Sequence, residues 1–350
     1  MAIYLHDKYA KEIQERFVRE SLIVGALSNA YSFSGVKTVK ITSIETVPMV
    51  DYVRTGANRY GEPQEVQDVV QEMTLTQDKS FSLTVDKGNN ADQDGIKAAG
   101  RVLNAQIKER AIPEHDRYCF ERLSKLGGKI VGNSTAITKS NVCERITDGT
   151  VYMNDHEVPQ DGRTLYVPSD VYAKLRLSEE FQKCDGLLEK SLSKGQVGVY
   201  DGMKVIQVPK KRWPANVNFM IVHKSSGCAP VKLNDTKLHK DPPGISGNLL
   251  EGRQYYDLFV FGAKCDGVYV DVDTASGKGT ICATPKLASK ALSCDTSGAI
   301  IKYTTDGSDP RYSVSAKNYG GALTDEAGTK VRAYAYKDGA FPSEVLEATL

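Results

Sequence analysis

Apolar side chains recur along this chain with two periods, and the switch between them marks out its elements. Over residues 7–24, Tyr9, Ile13 and Phe17 return every fourth position among charged neighbours, the spacing of a helix with one narrow apolar stripe. Such a stripe needs a surface to lie on, supplied either by its own domain or by a neighbouring chain. Val36, Val39, Ile41, Ile44 and Val47 alternate with polar residues, and Met73, Leu75, Phe81, Leu83 and Val85 fall in runs with a period of two; both stretches predict long strands. Residues 51–65 between them are polar, punctuated by glycine and nearly free of aliphatic side chains, which predicts the tip of a protruding hairpin or a mobile surface loop. A two-stranded hairpin is marginally stable alone in water, so a long one implies a surface on which it is laid.

The helical period returns over residues 92–126. Asp92 and Asp94 suit the positive end, Ile96, Gly100, Leu103 and Ile107 keep the spacing, and Gly127-Gly128 ends it. Pro113 predicts a kink, leaving either one long helix across a sheet face or two helices broken there. A strand at Thr164–Val167, an N-cap at Ser169-Asp170 and a helix through Tyr172, Leu175 and Leu177 towards Phe181 make an α+β pattern. Strands are predicted again at 198–200, 204–208, 218–222, 255–261 and 267–272. No helix is regularly interposed, which excludes a doubly wound sheet. After the turn-forming stretch 272–278, short strands at 279–284, 299–305 and 330–336 predict a small all-β sandwich.

Composition narrows the class. The 350 residues are 40% hydrophobic and 25% charged, ordinary for a globular chain and not for a disordered, collagen-like or coiled-coil one. Forty-five Lys and Arg against forty-four Asp and Glu leave a net charge of +1, so contact with DNA should be weak and non-specific. The last stretch, 273–350, holds nine basic and nine acidic residues and is no basic arm. Charges in the first dozen residues leave no room for a secretory signal, and the longest early apolar run, Leu22–Leu27, is too short to span a membrane. Seven cysteines without a Cys-x-x-Cys pair read as reduced thiols of a protein made in a cytoplasm.

Chemistry is harder to find. No phosphate-cradling Gly-x-x-x-x-Gly-Lys motif occurs, the five histidines are scattered, and Gly244-Ile-Ser-Gly behind Pro242-Pro243 reads as a rigid loop and not a nucleophile elbow. Asp306-Gly-Ser-Asp-Pro could offer two carboxylates to calcium but is better read as a turn between strands. No catalytic, cofactor or metal residue is assigned, and the chain is expected not to be an enzyme.

Several segments resemble the major capsid proteins of tailed double-stranded DNA bacteriophages, whose fold is named after coliphage Hong Kong 97. Arg59-Tyr-Gly-Glu-Pro with Val70–Phe81 resembles that family's extended hairpin loop, Ile96–Lys125 falls where its spine helix lies, and Thr164-Leu-Tyr-Val-Pro-Ser resembles its axial domain. Residues 229–247, continuing through Glu251–Phe261, are similar to its closing β segment. Residues 279–350 resemble instead the immunoglobulin-like domain at the end of chitobiases, through Ile301–Pro310 and Val331–Gly339.

The resemblance implies an α+β capsid fold over 1–272, divided into an N-terminal arm (1–35), an extended hairpin loop (36–90) and a spine helix with peripheral and axial domains (91–272). A non-catalytic immunoglobulin-like surface domain follows over 273–350. It implies self-assembly into pentamers and hexamers of an icosahedral shell around the genome, put together in the host bacterial cytoplasm. Contacts between subunits would involve Tyr9, Ile13 and Phe17 of the arm and Arg54, Arg59, Tyr60, Glu62 and Glu65 of the hairpin. A separate scaffolding protein, a portal, non-specifically packaged DNA, and glycan or host-surface contact by the last domain complete the expected partners, with no membrane. The competing reading, from the C-terminal domain alone, is a secreted carbohydrate-binding or glycosidase-accessory protein, which would need a signal peptide and a catalytic or aromatic-lined partner domain.

Overall fold

Alternation puts strands in the hairpin region, but pairing distributes them differently from the expectation. The computed structural model describes residues 20–350 except 24, 29–30, 32, 34–36, 45, 48, 64, 66–67, 89–98, 180–195 and 276–277. Strand β1 (Thr38–Ile44) runs antiparallel to β2 (Asp68–Thr74), with Thr38 opposite Thr74 and Ile44 opposite Asp68. The second alternating run does not stay in that ribbon. It breaks at Leu75-Thr76 and resumes as β3 (Gln77–Asp86) in another sheet. The cause is local: Leu75 is fully buried, and the Thr76 amide and hydroxyl donate to the buried Asp257 carboxylate at 2.9 and 2.7 Å.

The helical run occupies α1 (Ala99–Gln106), a π turn at Ile107–Ala111 and α2 (Ile112–Leu126), with right-handed helical backbone at each junction. Pro113 therefore does not break the helix. Its ring lacks a donor and would press on the Glu109 carbonyl in an ordinary turn; the wider turn just ahead makes room for it.

Next come β4 (Lys129–Asn133), α3 (Val142–Asp155), β5 (Arg163–Pro168), α4 (Ser169–Arg176), β6 (Gln196–Tyr200), β7 (Met203–Val208) and β8 (Val217–His223). After them β9 (Gly227–Cys228), β10 (Val231–Lys240), β11 (Gly247–Tyr256), β12 (Phe259–Val260) and β13 (Val268–Asp273) complete the body. Ser169 is not an N-cap: that position is Pro168, and the Ser169 hydroxyl points back to the Val208 carbonyl. The helix stops at Arg176, short of Phe181, which lies outside the described residues.

The central sheet has the order β4-β13-β8-β5-β7-β6. Its middle strands, Val-Asn-Phe-Met-Ile-Val-His and Val-Tyr-Val-Asp-Val-Asp, are buried at every position, as expected of a sheet covered on both faces. One face packs Met220, Val222 and Val270 against Phe120 and Leu123 of α2; the other packs Phe219, Ile221 and Tyr269 against Ile146 and Met153 of α3. Leu22, Ile23 and Leu27 join the first of these clusters, fixing the root of the arm. A separate antiparallel sheet has the order β10-β11-β3.

The C-terminal strands are β14 (Lys286–Ala288), β15 (Ala291–Ser293), β16 (Ile300–Thr304), β17 (Lys317–Asn318), β18 (Lys330–Tyr336) and β19 (Leu346–Thr349). They form a two-stranded ribbon and a four-stranded sheet of order β17-β16-β18-β19 around Leu292, Ile301, Val331, Ala333 and Ala335. The strand expected over 279–284 is reduced to one bridge, Ile281 to Phe341.

Candidate assembly surface

The loop between β1 and β2 is built from its own bonds. The Val53 amide donates to the Arg59 carbonyl at 3.0 Å, the Gly61 amide to Asn58 at 2.9 Å, and Arg59 Nε to the Gly56 carbonyl at 3.2 Å. Gly56 and Gly61 take φ of +89° and +85°, the left-handed backbone that closes so tight a tip. The Tyr52 and Tyr60 rings meet edge-on, with centroids 5.0 Å apart.

Among the described residues, none covers the apolar side chains on this tip. Met49 is wholly exposed, Tyr60 is 86% exposed, and Val47, Val50, Tyr52 and Val53 each keep half or more of their surface open. Exposed apolar side chains gathered on one loop are the kind of surface that association can cover. Of the expected contact residues, Arg54, Arg59, Tyr60, Glu62 and Glu65 all lie exposed on this one loop. Tyr9, Ile13 and Phe17 lie outside the described residues. The sequence-based expectation named Tyr60 and the charged residues of this loop but not Val47, Met49, Val50, Tyr52 or Val53. Their signal was the crowding of apolar residues between 47 and 53 with no periodic partner run.

Two buried carboxylates anchor what projects. Asp257 takes Thr76 from the foot of the hairpin and, at 2.6 Å, the Tyr118 hydroxyl from α2; burial and this bond push the Tyr118 phenol up to about 12. Asp116 accepts from the Ser21 hydroxyl (2.6 Å), the Leu22 amide (3.1 Å) and Arg212 Nη1 (2.8 Å), which also donates to the Glu20 carbonyl at 3.0 Å. Burial opposes the charge on Asp116, but hydrogen bonds from His115, Ser21, Leu22 and Arg212 outweigh it and hold its carboxyl below the ordinary carboxylate range.

Elsewhere the chemistry is structural. Asp306 accepts from the Ser308 amide and hydroxyl and from the Ser315 hydroxyl, and Asp309 forks with Arg311, so both carboxylates serve the turn. Ser246 lies in the short loop joining β10 to β11, not between a strand and a helix. Two open clefts of about 430 and 440 Å³ flank Trp213–Asn216. Among the described residues no cluster of His, Cys, Asp or Glu could hold a metal ion, and no helix is long and apolar enough to cross a membrane.

No curated protein matches the chain. A family model described as Fn3 associated matches residues 291–350. Solved structures match far more of it. A chain of Mycobacterium phage Che8 superposes with a TM-score of 0.60 at 16% identity, over 79% of this chain and 100% of that one. The mature capsid of bacteriophage PhiM1 gives 0.59 at 13%, over 78% and 92%, and the head of Helicobacter pylori bacteriophage KHP40 gives 0.56 at 11%, over 78% and 96%. The chain thus has the mixed α/β fold of bacteriophage capsid chains, with an Fn3-associated segment at its C-terminal end.

Proposed function

We propose that this protein is a major capsid protein that assembles into pentamers and hexamers of an icosahedral phage head. The observation that carries the reading is the hairpin tip, ordered by its own hydrogen bonds and crowded with uncovered apolar side chains. A surface so costly to leave in water gains its stability by lying on another copy, so folding and assembly become one process. Head-to-tail contacts of this type close into rings, and one chain that forms rings of both five and six needs adaptable contacts at their edges. The arm bearing Tyr9, Ile13 and Phe17 would serve as a second such contact.

In this reading residues 1–272 are the shell-forming unit of Hong Kong 97 type, and 273–350 form a chitobiase-like, immunoglobulin-like domain on the exterior. The role is structural and not enzymatic. A separate scaffolding protein, a portal and non-specifically packaged DNA are the expected partners in the host cytoplasm, with a glycan or host surface for the last domain. The carbohydrate-binding alternative draws its support from the C-terminal segment alone. Removing residues 50–66 tests the proposal: the deleted chain should stay soluble and form no shells in negative-stain microscopy, while normal shells from it would overturn the reading.

A further inference from the structure

The turn between β16 and β17 holds more buried charge than a surface loop needs. Arg311 forks onto the Asp309 carboxylate through Nε at 3.1 Å and Nη2 at 2.7 Å, with both side chains nearly nine-tenths buried. From that fixed position Nη1 donates to the Gly127 and Gly128 carbonyls at 3.1 and 2.9 Å, and the Tyr312 hydroxyl donates to the Leu126 carbonyl at 2.6 Å. Leu126 is the last residue of α2, and carbonyls at a helix end have no intrahelical donor. The C-terminal domain therefore supplies a cap for α2, the longest α-helix among the described residues.

The same turn then grips the hairpin. The Val314 amide donates to the Val70 carbonyl of β2 at 3.3 Å, and Ser313 bridges Gln71 in antiparallel fashion. Gln71 in turn holds the body, its Nε2 donating to the Val260 carbonyl at 2.8 Å and its Oε1 accepting from the Gly262 amide at 2.9 Å. Tyr312 packs over Gly262, where an added Cβ would lie 3.1 Å from it. Six consecutive residues of one turn thus join α2, the β12 region and strand β2 of the hairpin.

We propose that the C-terminal domain is an intrachain brace, in which residues 309–314 lock the middle of strand β2 to the end of α2 and so set the direction in which the hairpin leaves the subunit. A domain tethered for display would need no such contacts. The inference goes beyond the shell-forming reading and is read on dispersed chains, so the two can fail separately.

Hydrogen–deuterium exchange on the full unassembled chain tests it. In Arg311→Gln, amides over 123–128 and over 68–74 should both exchange about tenfold faster, while β8 stays within about twofold of the parent. Acceleration confined to 123–128, or absent from both segments, would overturn the brace. Should Arg311→Gln fail to give soluble protein, Tyr312→Phe removes one hydroxyl and carries the same readout, with about fivefold faster exchange expected in both segments.

Discussion

Asp116 shows how much of an arm's attachment can rest on one carboxylate. It is wholly buried and paired to Arg212, itself 5% exposed, and both contact the first described residues of the arm. Breaking such a pair by removing one charge strands the other, so Asp116→Asn should lower unfolding free energy by about 3–5 kcal/mol in a denaturant titration near neutral pH. The pH dependence follows from the depressed folded pKa. The stabilisation is full above the ordinary value of 3.8 and is lost as the pH falls through the lower folded value, so the curves of parent and variant should converge in acid. Thiols behave in the opposite sense: burial pushes Cys228 up to about 12 and Cys265 up to about 11. Both should resist iodoacetamide in the native chain and react once denatured, as peptide mapping would record. At this scale the alternation and turn residues of the hairpin could be read from the sequence. It could not disclose Asp116 or Asp257, because a buried carboxylate is defined by partners some 94 to 181 positions away.

Elements were legible where one period governs and a breaker ends it. The helix of 99–126 followed from its spacing and from Gly127-Gly128, whereas its continuity through Pro113 depends on a π turn that no residue pattern announces. The hairpin strands followed from alternation, yet the break at Leu75-Thr76 is imposed by Asp257, so two sheets were read as one ribbon. Two glycines of the helical run separate packing from propensity. A Cβ at Gly128 would stand 2.4 Å from the Cys265 carbonyl oxygen, which is backbone and cannot turn aside, while at Gly100 it would meet nothing within 4 Å. Gly128→Ala should therefore cost about 1–3 kcal/mol. Gly100→Ala, on an exposed turn of α1, should gain about 0.5–1 kcal/mol. Thermal or denaturant unfolding of the two variants checks both signs.

For the whole molecule, the change of pattern after residue 272 suggested a mixed body and an all-β end, and the resemblance to phage capsid proteins anticipated the fold that the chain shares with solved phage capsid chains. The contact between the two parts was not visible. Arg311 and Tyr312 look like ordinary turn residues until the end of α2 is seen against them, since a cap supplied from 184 positions away leaves no trace in local spacing. Of the exposed side chains at the hairpin tip, the sequence-based expectation named Tyr60 and the charged residues and passed over Val47, Met49, Val50, Tyr52 and Val53.

The exposure of these apolar side chains has a chemical consequence. Met73, Met153, Met203 and Met220 are sealed inside the protein, but the thioether of Met49 stands fully open to water. Peroxide attacks exposed sulfur first and turns it into a polar, chiral sulfoxide. Stored subunits should thus oxidise at Met49 before any other described methionine, losing the ability to associate in step with one added oxygen on the peptide that carries Met49, and methionine sulfoxide reductase should make old material behave as fresh.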